Sequence, residues 1–204
     1  MSTMQKNSRL WMPTYTLIAV TVTVYAFTAF LSGDAFQTSD SVFRTFGQDN
    51  TAILNGEVWR LFSAIFIHAN IVHLFGNMFF LLIFGLRAED MFDVKEYYLI
   101  YFLSGLTGGI LTFFFWFDSL SVGASGAIFG VLGATMIYVR RAVGQSIMSA
   151  LVYAFFMFFL NSMGQNVNLL AHLGGLVAGL LIGYVLAATR KPKQTVTYQH
   201  RYSY

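Results

Sequence analysis

Cysteine is absent from the 204 residues. Disulfides, thiolate nucleophiles and cysteine metal sites are thereby excluded, and cysteine usage leaves the redox compartment open. Charge is nearly as scarce. Asp, Glu, Lys and Arg together make up 10% of the chain, where ordinary globular proteins carry about 25%. A soluble fold cannot cover its surface with so few charges, and 56% of the residues are hydrophobic. Such a chain takes lipid as its solvent. A net charge of +3 in a soluble protein would raise nucleic acid as a partner. Here the basic residues stand at the ends of apolar stretches, where they set membrane topology, so no nucleic acid is expected.

A bilayer core of about 30 Å needs roughly 20 apolar residues in a helix. Six stretches qualify, some of them short: Pro13–Leu31, Ile71–Leu86, Tyr97–Phe117, Gly126–Val139, Ser146–Leu160 and Leu169–Ala188. The first is too long for a signal-peptide core and lacks a small-residue cleavage site after it, so it reads as a retained helix. The fourth, at roughly 21 Å, is too short to cross. Non-helical chain is therefore expected to precede it within the membrane, which is tolerated where protein or a water-filled cavity surrounds the backbone. The fold class that follows is an all-α membrane protein, a six-transmembrane-helix bundle. Its first outer loop, about Ser32 to Ala69, is long. Within it the apolar run Trp59–Ile67 is too short to span and reads as interfacial or re-entrant.

Lys and Arg give the orientation. With the N-terminus in the cytoplasm, Lys6, Arg9, Arg87, Lys95, Arg140, Arg141, Arg190, Lys191, Lys193 and Arg201 lie inside. Of the 12 basic residues, Arg44 and Arg60 alone lie outside. Both termini are then cytoplasmic. The expected organisation is a short N-terminal segment (1–12), a membrane domain (13–189) and a basic, Tyr-rich tail (190–204). No internal repeat supports an inverted-repeat transporter.

No Asp, Glu, Lys or Arg falls in mid-helix, so histidines, amides and hydroxyls must form any site. Intramembrane ionisable groups are functional candidates by default. His68, His73 and His172 lie in or beside helices, and His200 lies in the tail. His73, Ser125 and His172 precede the cytoplasmic Arg87, Arg140 and Arg190 by 14, 15 and 18 residues. That places them about 21, 22 and 27 Å along their helices, in one outer layer. Asn77 shares a helix face with His73, one turn deeper.

Ser125 stands where a loop becomes the fourth helix, in Gly123-Ala-Ser125-Gly126. It reads as an N-cap. The same position offers free N–H groups and the positive end of a helix dipole to a developing oxyanion. The motif is not the Gly-x-Ser-x-Gly nucleophile elbow, because residue 127 is Ala. His172 begins a helix with Gly175, Gly179 and Gly183 at spacing four. The fourth helix carries Gly126, Gly130, Gly133 and Ala134. If these small faces pack closely, His172 arrives beside Ser125 as its base. Its plainer reading is a histidine hydrogen-bonded between helices. Asp118, the acid nearest Ser125, reads as solvated, so a Ser–His dyad is expected rather than a triad. Asn77 and His73 offer donors to an oxyanion, or else interhelical hydrogen bonds. A metal held by His68, His73 and His172 is disfavoured by the spacing of five and by the lack of a completing carboxylate or cysteine. No metal and no cofactor is expected.

These motifs together resemble the rhomboid intramembrane proteases. The resemblance runs from about Gly56 to Gly183, through Glu57-Val-Trp59-Arg60, then His68…His73…Asn77, then Gly123-Ala-Ser125-Gly126, then Ala171-His172…Gly175…Gly179. It implies a serine endopeptidase that cleaves transmembrane segments of other membrane proteins and opens to the non-cytoplasmic side. It implies that Ser125 attacks, that His172 takes its proton, and that an acyl-enzyme follows. His73, Asn77 and the Ser125 N–H resemble the oxyanion hole, and His68 a structural or water-retaining position. Trp59 and Arg60 resemble the motif shaping the first outer loop, and Gly123 and Gly126 the glycines around the nucleophile. Where some members have Tyr, this chain has Phe129, which can still stack on His172. The chain resembles the minimal six-helix form of the family, without an added domain or seventh helix, and that resemblance implies a bacterial plasma membrane. The alternative is a silent relative that binds transmembrane clients without cleaving them. A channel or small transporter would need charges on a midplane path or repeated broken helices. A polar rim (Asn161, Ser162, Gln165, Asn166, Asn168) beside the aromatic fifth stretch (Tyr153, Phe155, Phe156, Phe158, Phe159) is expected to gate water and substrate. Oligomeric state is left open.

Overall fold

The structure, a computed structural model, describes residues 12–116, 120–142, 146, 148–149, 151–153, 156 and 167–190. In chain order the elements are α1 (Pro13–Ser32), α2 (Asp40–Phe46), β1 (Gln48–Asp49), α3 (Asn50–Leu54), α4 (Arg60–Ser63), α5 (Ile71–Glu89), α6 (Val94–Phe115), β2 (Leu120–Ser121), α7 (Ser125–Ala142) and α8 (Leu169–Thr189). Among the described residues, α1, α5, α6 and α8 are long and apolar enough to cross a membrane. The fold is an all-α membrane bundle. Most of the expected fifth stretch, including Phe155, Phe158 and Phe159, lies outside the described residues, as do most of the tail and the first eleven residues.

Local chemistry sets the boundaries. Pro13 opens α1, where its missing N–H costs nothing. Gly33 closes it at φ +68, donating its N–H to the α1 carbonyls. A capping box between Asp93 and Glu96 starts α6 at Val94, three residues before the sequence-predicted start at Tyr97. The α7 expectation needs correction. The helix spans Ser125–Ala142, 18 residues rather than the shorter Gly126–Val139. It is about 27 Å long. Arg140 and Arg141 continue the helix because nothing there breaks it, and a cation in the last turn suits the dipole. The chain just before α7, residues 120–124, is non-helical, as expected.

Helices in lipid gain little from burying apolar surface, so close backbone packing must hold them. Here α7 is the centre. Gly175 and Gly179 of α8 press on Gly126 and Gly130 of α7, and Gly183 on Ala134. A Cβ at any of the three α8 glycines would fall within 2.6 Å of α7 backbone atoms. On the other side of α8, Gly174 packs on Gly108 of α6, where a Cβ would lie 2.9 Å from the Gly108 Cα. The small-residue faces expected from spacing thus meet. Away from this trio, α1 presents Thr14, Thr21 and Thr28 at heptad spacing to the interior, all essentially unexposed. The Thr14 N–H donates to Glu89 at 2.8 Å, and its hydroxyl lies 2.9 Å from the Tyr97 OH.

The first outer loop is a folded cap. Arg60, buried at 7% exposure, donates to the Arg44 and Thr45 carbonyls at 2.6 and 2.7 Å and to the Gly47 carbonyl at 3.2 Å. It also pairs with Glu57 at 2.7 Å. Trp59 stacks on its guanidinium at 4.9 Å. The cap reaches the rest of the molecule by a two-residue antiparallel pairing, Gln48 with Ser121 and Asp49 with Leu120.

Candidate active site

Ser125 is the first residue of α7 and His172 lies in the first turn of α8. Since α7 and α8 touch through backbone, their ends meet. The His172 Nε2 and Ser125 Oγ are 2.7 Å apart. That is a short hydrogen bond of the kind a hydroxyl makes with an imidazole acceptor. Gly126 has a part in the approach: a Cβ there would stand 3.0 Å from the carbonyl oxygen of Ala171, the residue before His172. His172 is buried at 6% exposure, and Phe129 packs on its ring at 4.7 Å and 39°. The expected stacking by Phe129 is therefore present without a hydroxyl.

The opposite wall comes from α5. Asn70 caps it by accepting the His73 N–H at 2.8 Å. This fixes the first turn, and His73 with it. The Ala69 N–H points at His73 Nδ1 across 3.5 Å. An accepting Nδ1 leaves the proton on Nε2. The Nε2 side faces Gly123. A Cβ on Gly123 would lie 2.9 Å from the His73 Nε2 and Cε1 and 3.7 Å from the Asn77 Nδ2. Gly123 also holds φ +119, a conformation that side-chain-bearing residues rarely adopt. Its N–H donates to the Ala64 carbonyl at 2.9 Å, which ties the serine loop to the end of α4. Asn77 is buried, and its Nδ2 makes no hydrogen bond to the described residues. Ser125, His172, His73, Asn77 and Gly123 therefore border one cavity of about 450 Å³. Phe80, Phe84 and Leu132 line it more deeply.

His68 does not border that cavity. It is fully buried behind His73, ring centroids 5.0 Å apart, with Nδ1 3.2 Å from the Phe66 carbonyl oxygen. Its own carbonyl accepts from the Thr38 hydroxyl at 2.7 Å. His68 thus braces the outer loop against α5. Among the described residues no cluster of three His, Cys, Asp or Glu side chains stands ready for a metal. Asp118 and the rim residues Asn161, Ser162, Gln165 and Asn166 lie outside the described residues. Asn168, the last of that rim, is used internally: its Oδ1 caps α8 by accepting the Ala171 N–H at 2.9 Å. Sequence reasoning took Asn70 as one of a run of donors at a helix start rather than as the cap it is, and passed over Gln48. An Asn three residues before His73 was a visible capping signal, whereas nothing local marks Gln48.

Comparison with known proteins places residues 55–189 within the family described as the Rhomboid domain. The chain is 38% identical over 139 residues to RHOMBOID-like protein 6, mitochondrial, of Arabidopsis thaliana, covering 66% of this chain and 45% of that protein. It is 37% identical over 144 residues to "Putative rhomboid protease YdcA" of Bacillus subtilis (strain 168), covering 67% and 71%. It is 34% identical over 139 residues to Rhomboid-like protease 3 of Toxoplasma gondii, covering 64% and 52%. The chain spans less than half the length of the plant relatives RHOMBOID-like proteins 6, 1 and 2.

Proposed function

The chain belongs to the rhomboid family, and we propose on that footing that it is an intramembrane serine endopeptidase acting through Ser125 and His172. The observation that carries the reading is the 2.7 Å contact between His172 Nε2 and Ser125 Oγ at the mouths of two backbone-packed helices. His172 takes the Ser125 proton as Oγ attacks the scissile carbonyl of a transmembrane segment. The oxyanion that develops is met by the Ser125 N–H, which has no intrahelical acceptor, and by Asn77 Nδ2 and His73 Nε2–H. His172 then gives its proton to the leaving amine. The acyl group stays on Oγ until water, deprotonated by the same imidazole, releases it. Gly123 admits the His73 ring, Gly126 admits α8, and His68 braces the loop behind them. Neither metal nor nucleotide enters this scheme. The substrates are membrane proteins, reached from the bilayer. The distribution of Lys and Arg favours cytoplasmic termini and a site opening outward, and the six-helix form is the ground for placing it in a bacterial plasma membrane.

The test compares wild type, Ser125→Ala and His172→Ala in liposomes with a fluorescent single-span protein carrying small residues near its outer helix end. Cleavage is followed by gel and mass spectrometry, and the serine by a fluorophosphonate probe. Cleavage and labelling are expected in wild type and in neither variant. Cleavage persisting in Ser125→Ala overturns the mechanism. A folded wild type that neither cleaves nor labels points instead to a client-binding protein.

A further inference from the structure

Asn168 stands four residues before His172, and Ser121 four residues before Ser125. Their side chains meet: the Asn168 Nδ2 donates to the Ser121 Oγ at 2.8 Å. The same amide donates to the Thr112 Oγ1 at 3.0 Å, while Thr112 donates to the Gly108 carbonyl at 2.9 Å. Thr112 is fully buried and Ser121 nearly so. The Asn168 Oδ1 accepts the Ala171 N–H. One amide therefore joins α8, α6 and the strand that leads into the serine loop. From the far side Gln48 pairs with Ser121 through backbone and donates its side-chain amide to the Gly109 carbonyl of α6 at 2.9 Å.

We infer that Asn168 is a positioning residue for the reaction, a clamp that fixes the serine loop relative to the histidine helix through Ser121 and Thr112. This deepens the reading of Ser125 and His172 as a dyad and rests on it. The two halves of the dyad sit on different elements, and α7 packs on α8 without holding the loop in front of Ser125. The clamp bridges that loop to α8 one short step from each partner. Ser121 and Asn168 also line the edge of the cavity; loosening the clamp leaves the helices and the α5 wall of the cavity in place and lengthens the Oγ–Nε2 contact. A displacement near 1 Å at reacting groups costs on the order of a hundredfold, so a partial loss of registry costs roughly tenfold.

Four variants separate clamp from cap in liposome cleavage of the labelled single-span protein: Asn168→Ala, Asn168→Ser, Ser121→Ala and the Asn168→Ala/Ser121→Ala pair. Serine caps a helix about as well as asparagine but is too short to reach Ser121. Asn168→Ser is expected to melt with wild type yet lose kcat by roughly tenfold, with KM within about twofold. Ser121→Ala, which leaves the cap intact, is expected to show the same kcat loss and a matching fall in fluorophosphonate labelling rate. The pair is expected to be no slower than Asn168→Ala, because a clamp cut at one end is already open. Wild-type kcat in Asn168→Ser or Ser121→Ala overturns the clamp, as do multiplicative losses in the pair or losses carried by KM. If wild type itself neither cleaves nor labels, the dyad reading fails and the clamp with it. If wild type cleaves and the variants match it, the clamp alone fails.

Discussion

Around Ser125 the side built by α8 and the side built by α5 differ in what separates them from α7. On the α8 side there is backbone on backbone: a Cβ at Gly175 or Gly179 would overlap atoms of Gly126 or Gly130. On the α5 side there is a cavity of about 450 Å³, and a Cβ at Gly76 would meet nothing within 4 Å. Large rings flank that opening, with Phe80 and Phe84 stacked at 5.8 Å. The difference divides the labour of the proposed reaction. Proton transfer needs tenths of an ångström and is placed on the side where backbone packs on backbone. A peptide needs volume, and the volume is on the α5 side.

Breaking the tight side is expected to have the largest effect. Gly179→Val forces α7 and α8 apart and costs on the order of 3 kcal/mol or more. Thermal unfolding in detergent should fall sharply and cleavage should vanish; an unchanged transition refutes close packing as the source of stability. Next comes the donor on the loose side. Asn77→Ala leaves a folded protein and lowers kcat roughly 10²–10³-fold, the cost of one oxyanion donor. Unaltered kcat removes Asn77 from the proposed hole. Gly123→Ala is expected to lower kcat up to about a hundredfold by pushing the His73 ring aside. Here a retained melting temperature would separate misplacement from unfolding.

Arg190→Met tests a region remote from both sides. Arg190 donates to the Met91 carbonyl at 2.7 Å and the Tyr138 OH at 3.1 Å and pairs with Glu96. Its loss should cost about 1.5–3 kcal/mol of stability, with turnover per folded molecule unchanged. Slower turnover in the folded fraction would mean that the Arg190 latch reaches the site. The smallest effect is expected from Gly76→Ala. With open space for its methyl group, the variant should gain up to about 1 kcal/mol from helix propensity and change KM alone. A loss of stability there would show that the α5 side is less open than the geometry indicates.

Periodicity and spacing made much of this legible. Gly175, Gly179 and Gly183 at spacing four announced a helix face that only close packing explains, and that face carried His172 to Ser125. The common depth of His73, Ser125 and His172 rested on a constant rise per residue, which the long helices obey. Of the loop between α1 and α5, the length and the Trp59–Arg60 motif were legible, and Arg60 does tie the loop together, but its short elements were not. Its helices are 7, 5 and 4 residues long, too short to display a period. The pairing of Gln48 with Ser121 joins residues far apart in the chain through backbone groups that every residue carries. The longer α7 was misjudged because its last turn is charged, and hydropathy marks where lipid ends, not where a helix does. Asn168 was read as rim because an amide in a polar segment carries no sign of its partners.

The zipped contact of α7 with α8 also has a consequence in time. Ser125 and His172 are 47 residues apart, and His172 belongs to the later helix. A ribosome releases the serine first. Until α8 has emerged, inserted and closed on Gly126 and Gly130, the hydroxyl lacks the His172 imidazole that would serve as its base. On the proposed mechanism a half-made chain in the translocon is thus inert toward the spans of its neighbours, and the ability to cleave would be acquired in a single late step of assembly.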